Sequence, residues 1–246
     1  SISNLLTDLG RQKYACENYE VVVVNDHSDD ETVKLVQKAI DNYDYSLRLV
    51  SLPQNMTGKK QAITVGVGIA QYPVLVTIDG DCRCGPEWLT EINKTYTRKT
   101  QMVCGMVEYS PLNKTTDYWQ AMELAVLVAV GFLMNKLSLP SMCNGANLSF
   151  RKEVFDNVRG YEGNEHLASG DDEFLLRKVM KKYSNGVRFM SSRQGLVTTM
   201  PAQSWKMFIN QKIRWASKWK HHQDLPTKVL GGFVFLSNSC FMIVFG

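Results

Sequence analysis

In the first third of the chain, runs of branched apolar side chains alternate with stretches whose apolar positions recur at helical spacing. Glu20 to Asn25 (EVVVVN) is a continuous β-branched run, the pattern of a strand covered on both faces in a parallel sheet. Val33, Leu35, Val36, Ala39 and Ile40 then mark the inner face of a helix, which Asp29 or Asp30 can cap. Ser46 to Leu52 predicts a second strand. Gly58 to Ala70 predicts a helix whose last turn Gly66 and Gly68 weaken. Pro73 to Ile78 (PVLVTI) is a third strand, ending at Asp79-Gly80-Asp81. This alternation predicts an open α/β sheet, mostly parallel, with helices on both faces and ligands beyond the carboxyl ends of the strands. Asn25-Asp26 and Asp79-Gly80-Asp81 both sit at such ends.

Further along, Met102 to Tyr109 predicts another strand and Trp119 to Leu133 an apolar helix. Cys143 to Phe150 (CNGANLSF) leads into a helix begun by Arg151. Asp171 and Asp172 start a helix with Phe174, Leu175, Leu176 and Val179 on its inner face. Ser204 to Trp219 is a helix rich in tryptophan and basic residues. Val229 to Gly246 is uncharged and largely apolar. A membrane span takes about 20 such residues, so this stretch resembles the start of a transmembrane helix, a buried core helix being the alternative.

Composition narrows the classes. The chain has 246 residues, 44% of them hydrophobic and 21% charged, which describes a globular protein with a full core. A formal charge of +4 is small for this length. No basic stripe with interleaved aromatics occurs before residue 200, so a nucleic-acid partner is not expected. Six cysteines form no C-x-x-C pair, and the four histidines lack zinc spacing from them. Reduced, mostly buried thiols are expected, as suits a cytoplasmic compartment.

Five clusters could carry chemistry. Asp79 and Asp81, flanking a glycine after a buried strand, offer hard oxygens to Mg²⁺ or Mn²⁺; a solvated acidic turn has the same spacing. Asp26, just past a strand, can accept hydrogen bonds from the imide of a pyrimidine base or from a ribose hydroxyl. Lys59 opens a helix against the helix dipole, so its charge serves a ligand or simply solvation. Asp171, Asp172 and Glu173 either serve a helix dipole or crowd their charges so that one becomes a general base. Gln211, Arg214 and Trp215 fall at i, i+3 and i+4, hence on one helix face. An amide, a guanidinium and an indole there suit a diphosphate and a sugar ring. Trp205, Lys206, Lys212, Lys218, Trp219 and Lys220 equally suit an interfacial membrane helix.

Taken in order, these features resemble the family 2 glycosyltransferases, the inverting family that includes cellulose, chitin and hyaluronan synthases and ceramide glucosyltransferases. VVVVNDHSDD resembles the family's nucleotide-binding strand and acidic turn, with Asn25 and His27 in place of the commoner Asp and Gly. TIDGD resembles its D-x-D motif, and CNGANLSFRKEVF with Gly160-Tyr161 the stretch before its acceptor site. SGDDEF resembles its E-D motif, with Asp171 in the Glu position. QKIRW matches Q-x-x-R-W. The resemblance runs from about residue 3 to residue 225.

It implies a Rossmann-like GT-A fold over residues 1–203, an amphipathic interfacial helix over 204–228, and a truncated transmembrane helix over 229–246. It also implies that the family's first strand precedes Ser1, so that the sequence is cut short at both ends. In activity it implies transfer of a hexose or N-acetylhexosamine from a nucleotide sugar, UDP-linked, to a glycan or lipid. Asp172 would be the general base; Asp26, Lys59, Asp79, Gln211 and Arg214 would bind the donor. Asn144, Asp171 and Trp215 would meet the acceptor, and Asp79 and Asp81 would hold the metal. The membrane is an expected partner, with the catalytic domain on its cytoplasmic side. Two competing readings are a nucleotidyltransferase, which would want a glycine-rich phosphate loop near its start, and a non-catalytic membrane subunit that keeps the fold.

Overall fold

The structure is a computed structural model that describes residues 1–137, 142–165 and 170–217. It divides into two compact units, Ser1–Pro201 and Ala202–Gly246.

The first unit begins with α1 (Ile2–Leu9), whose Leu5, Leu6 and Leu9 are buried. Then follow β1 (Glu20–Asn25), α2 (Thr32–Ile40), β2 (Ser46–Ser51), α3 (Lys59–Ile69) and β3 (Val74–Thr77). Each matches an expected element within a residue or two. Asp30 Oδ1 accepts from the Thr32 N–H at 2.9 Å, so it serves the first turn of α2. A short β4 (Arg83–Cys84) and α4 (Trp88–Thr95) lead to β5 (Met102–Gly105) and β6 (Val107–Tyr109). The long α5 (Thr115–Lys136) follows, then β7 (Leu148–Arg151), α6 (Lys152–Asn157), α7 (Asp171–Lys182), β8 (Val187–Met190) and β9 (Val197–Thr199).

The fold is α/β, as expected, but its sheets are mixed instead of mostly parallel. β1 and β2 pair in parallel. In the four-stranded sheet the order is β3-β7-β5-β8, with β7 antiparallel to both β3 and β5. A third sheet has the order β4-β9-β6. The strand expected over Met102 to Tyr109 is in fact two, in different sheets. The break falls at Gly105, where a Cβ would lie 2.3 Å from the Asn147 amide. Met106 lies between the two strands, and its carbonyl accepts from both the Val197 N–H at 3.1 Å and Asn147 Nδ2 at 2.8 Å.

Two hydrophobic clusters fill the unit. One gathers α1, Val36, Trp88 and Val197. The other packs Met102, Leu148 and Phe150 against Leu175 and Val179 of α7. Helix α5 is longer than the predicted apolar run. Its 22 residues have a mean hydropathy of 1.3 over an 18-residue window, long and apolar enough by composition to cross a membrane, with 28% of that window buried. The second unit contains α8 (Trp205–Ser217). The expected span at 229–246 lies outside the described residues.

Candidate active site

The site grows from three chain segments that meet at Gly145. Strand β3 ends at Thr77 and delivers Asp79 and Asp81 just beyond its carboxyl end. Thr77 Oγ1 donates to the Gly145 carbonyl at 2.7 Å and so fixes the CNGAN turn beside them. Helix α3 brings Lys59, and α7 brings Asp171 and Asp172 at its first turn. Gly170 precedes that turn at φ +86°, a left-handed conformation that favours glycine. Three acids open α7 and Lys181 and Lys182 close it, both ends complementing the helix dipole.

Lys59 Nζ lies 2.7 Å from Asp79 Oδ1 and 3.2 Å from Asp171 Oδ2, bridging the D-x-D turn and α7. Burial works to lower its pKa, but the carboxylates of Asp171 and Asp79 outweigh burial and hold the ammonium above its ordinary value. Asp171 moves the other way from most paired acids. Burial, then the neighbouring charge of Asp172, raise its pKa above the usual carboxyl value, and Lys59 offsets only part of this. Asp172 Oδ2 accepts from the Gly145 N–H at 3.1 Å, and its Oδ1 from the Glu173 N–H at 2.7 Å. A side chain at 145 would not fit: its Cβ would meet Asp171 Oδ2 at 2.7 Å and Lys59 Nζ at 3.1 Å.

Ligand oxygens of Asp79 and Asp81 and the sulfur of Cys82 lie within 4.8 Å of one another. Two carboxylates at that spacing fit a hard divalent cation. The Cys82 thiol donates to Asp81 Oδ1 at 3.8 Å, and burial pushes its pKa up to about 12.

Asp26 stands at the tip of β1. Its Oδ2 accepts from the Gly58 N–H at 2.7 Å. Gly58 itself has φ +97°, a turn suited to glycine that aims this N–H at the carboxylate. The other oxygen, Oδ1, is buried and has no partner among the described residues. A buried acceptor left open in this way is costly unless a ligand supplies the donor.

Asn144 borders the same turn, but its side chain accepts from the Ala146 N–H at 3.0 Å and caps the short 3₁₀ helix Gly145–Asn147. Gln211, Arg214 and Trp215 lie on α8 in the second unit, sharing a face, with Lys212 Nζ 4.6 Å from the Trp215 ring centre.

Three supporting residues escaped the sequence reading. Thr77 looked like any strand residue. Asn147 is 2% exposed and accepts from Trp88 Nε1 at 3.1 Å. Its Nδ2 donates to Met106 O and Gly195 O. Lys60, 5% exposed, donates to the Asn164 carbonyl at 2.7 Å and lies 5.0 Å from the centre of the Phe174 ring. No spacing rule separates a buried lysine from its exposed neighbour.

The family described as "Glycosyl transferase family 2" matches residues 1–159. A "Beta-monoglucosyldiacylglycerol synthase" of Trichormus variabilis is 21% identical over 87% of this chain and 45% of its own length. The chain thus spans about half the length of the curated relatives it matches. A mannosyltransferase of Pyrobaculum calidifontis, solved with GDP-Man and Mn2+, is similar at a TM-score of 0.62 and 17% identity, over 92% of this chain and 62% of its own. The 1–349 portion of S. aureus TarS, solved with UDP-GlcNAc, is similar at 0.58 and 19% identity, over 84% and 56%. These likenesses show the GT-A fold.

Proposed function

The chain belongs to glycosyl transferase family 2, and from that premise we propose that it moves a hexose or N-acetylhexosamine from a UDP-linked donor to a glycan or lipid acceptor. The supporting observation is the convergence on Gly145 of Asp171, Asp172 and the Lys59 that holds Asp79. A proton acceptor, a cation and a carboxylate pair stand together there, beyond the strand ends where an α/β sheet binds ligands.

Each residue then has a chemical task. The open Oδ1 of Asp26 accepts a proton-bearing group of the donor, the imide N–H of uracil or a ribose hydroxyl. Lys59 neutralises donor phosphate charge while keeping Asp171 near the reaction centre. Asp79 and Asp81 would hold Mg²⁺ or Mn²⁺, which when bound supplies charge neutralisation for the diphosphate. Asp172 takes the proton of the acceptor hydroxyl as its oxygen forms a bond to the anomeric carbon. The bond from that carbon to the diphosphate oxygen breaks, the nucleoside diphosphate leaves with the electron pair, and configuration inverts. Asn144 and Asp171 border the acceptor. To Gln211 and Arg214 we assign the donor diphosphate, and to Trp215 an acceptor sugar ring, on the chemistry of the α8 face they share.

Membrane association completes the proposal. The apolar stretch 229–246 anchors the chain, and the basic residues before it place the catalytic unit on the cytoplasmic side.

Calorimetry tests the donor reading. UDP is expected to bind in the presence of Mn²⁺ and to lose about tenfold or more in affinity when the ion is chelated. In Asp81→Ala the two conditions should give the same weak binding. Metal-linked binding of undiminished strength in that variant would remove the D-x-D turn from the donor site.

A further inference from the structure

Helix α5 is finished on one side only. Asp117, Gln120, Leu124 and Gly131 are buried. Asp117 Oδ2 accepts from the N–H groups of Asn113 and Lys114 at 3.0 Å. A Cβ on Gly131 would lie 3.0 Å from the Met142 carbonyl, so the helix seats its backbone closely there. The Phe132 ring packs edge-on against Phe189 of β8 at 5.2 Å. The opposite face carries Tyr118, Met122, Val126, Leu133 and Leu137, between 47% and 61% exposed. Ala125 and Ala129 are exposed between them, and no acid interrupts the row. From Tyr118 to Leu137 this stripe is roughly 29 Å long at the rise of an α-helix.

At the carboxyl end of the stripe the chemistry changes. A cavity of about 310 Å³ is lined there by Asn135, Lys136, Ser184, Asn185 and Arg188, along with apolar side chains and no acid. Lys136 stands 4.7 Å from the Phe132 ring centre, at the junction of the apolar row and this basic cavity. A helix that belongs to a folded domain on one side cannot be enclosed by lipid. An apolar face with cations at its margin fits the boundary between acyl chains and headgroups instead.

We propose that this face of α5 docks on a phospholipid bilayer carrying anionic headgroups. The stripe beds in the acyl boundary, and Lys136 and Arg188 receive a headgroup phosphate at the cavity. The inference deepens the membrane association proposed above and rests on it, adding a contact through α5 to the anchor at 229–246.

The test uses the full chain with Cys16→Ser, Cys143→Ala and Cys240→Ser, leaving only the buried Cys82, Cys84 and Cys104, so that the introduced thiol carries an environment-sensitive fluorophore. Val126→Cys and Leu133→Cys probe the stripe, and Lys34→Cys, on an exposed helix elsewhere, is the control. The vesicles are phosphatidylcholine with or without phosphatidylglycerol. The stripe probes should shift to the blue on anionic vesicles while the control does not. Lys136→Gln and Arg188→Gln should each weaken partitioning about fivefold, the effect of one basic residue near an anionic surface. Vesicle binding with unchanged stripe probes would leave membrane association standing and overturn this surface. A blue shift that follows protein concentration without vesicles would give the stripe to a second copy of the chain. Equal binding to neutral and anionic vesicles, unaffected by the two charge variants, would overturn the headgroup site.

Discussion

The Lys59 ammonium lies 3.2 Å from the Asp171 carboxylate, yet that carboxylate is held above its ordinary pKa. Burial and the adjacent Asp172 together exceed what the lysine returns. A carboxyl with a higher pKa folded than unfolded contributes stability that is complete below its unfolded value, about pH 4, and is lost as pH rises through the folded value. Above that unfolded value the raised pKa makes the Asp171 charge a net cost to the fold. Asp171→Asn keeps the shape and removes the charge, so its thermal midpoint at neutral pH should exceed that of the wild type. The gap should close toward pH 4, where the folded wild-type side chain takes up its own proton. Thermal unfolding at the two pH values decides it. A lower midpoint for the variant at neutral pH would mean that the Lys59 pair outweighs burial.

Asp172 is expected to govern transfer and not donor binding. Its two oxygens accept from the Gly145 and Glu173 N–H groups, an arrangement that aims the carboxylate without using the donor. Asp172→Asn should lower kcat by a factor on the order of a thousand, within the range for loss of a general base. Calorimetric affinity for the nucleotide should stay within about twofold. Normal turnover by that variant would place the base elsewhere.

The strands and helices around this site were legible because their patterns are local. EVVVVN and PVLVTI announce strands, half-buried here except at Asn25 and not covered as fully as the pattern implied, and acids after each mark the ligand end of the sheet. The antiparallel insertion of β7 was not legible. Leu148 to Arg151 (LSFR) alternates apolar and polar residues in either direction, and only its pairing with Val74 to Thr77 fixes the sense. The split at Gly105 escaped for a similar reason, because the side chain that forces it, Asn147, is 42 residues away in sequence. Clefts built from distant segments hide their supporting contacts from any periodicity.

Asn147 should be worth more to stability than its size suggests. Its amide serves Trp88 Nε1 and the carbonyls of Met106 and Gly195 at once. Asn147→Ala deprives Trp88 Nε1 and the Gly195 carbonyl of this partner, while the Met106 carbonyl keeps the Val197 N–H, and should cost about 3 kcal/mol in urea unfolding. Gly105→Ala alone should also destabilise, since its Cβ would meet the Asn147 amide at 2.3 Å. In the double variant the new methyl enters the space left by the amide, so the loss should be smaller than the sum of the two. Additive losses would show that the two residues are not in conflict over that space.

Gly145 separates packing from catalysis most cleanly. The backbone there is held from below by Thr77 Oγ1 and carries the N–H that Asp172 accepts. An added methyl cannot be relieved by moving the turn without breaking one of these bonds. The Asp171 carboxylate, 2.7 Å from the new Cβ, and the Lys59 ammonium, 3.1 Å from it, must therefore give way. Lys59 is a flexible, part-exposed end that can swing outward, whereas Asp171 is largely buried, so the thermal midpoint should fall only modestly. Catalysis should not tolerate the displacement, because a shift of about 1 Å in a positioned group costs on the order of a hundredfold in rate. Gly145→Ala is thus expected to lower kcat by about two orders of magnitude, with a smaller loss of midpoint and of the metal-linked UDP binding to which Lys59 contributes. A variant with normal kcat would mean that Asp171 and Lys59 can part without consequence, and that the convergence on this glycine is a feature of packing alone.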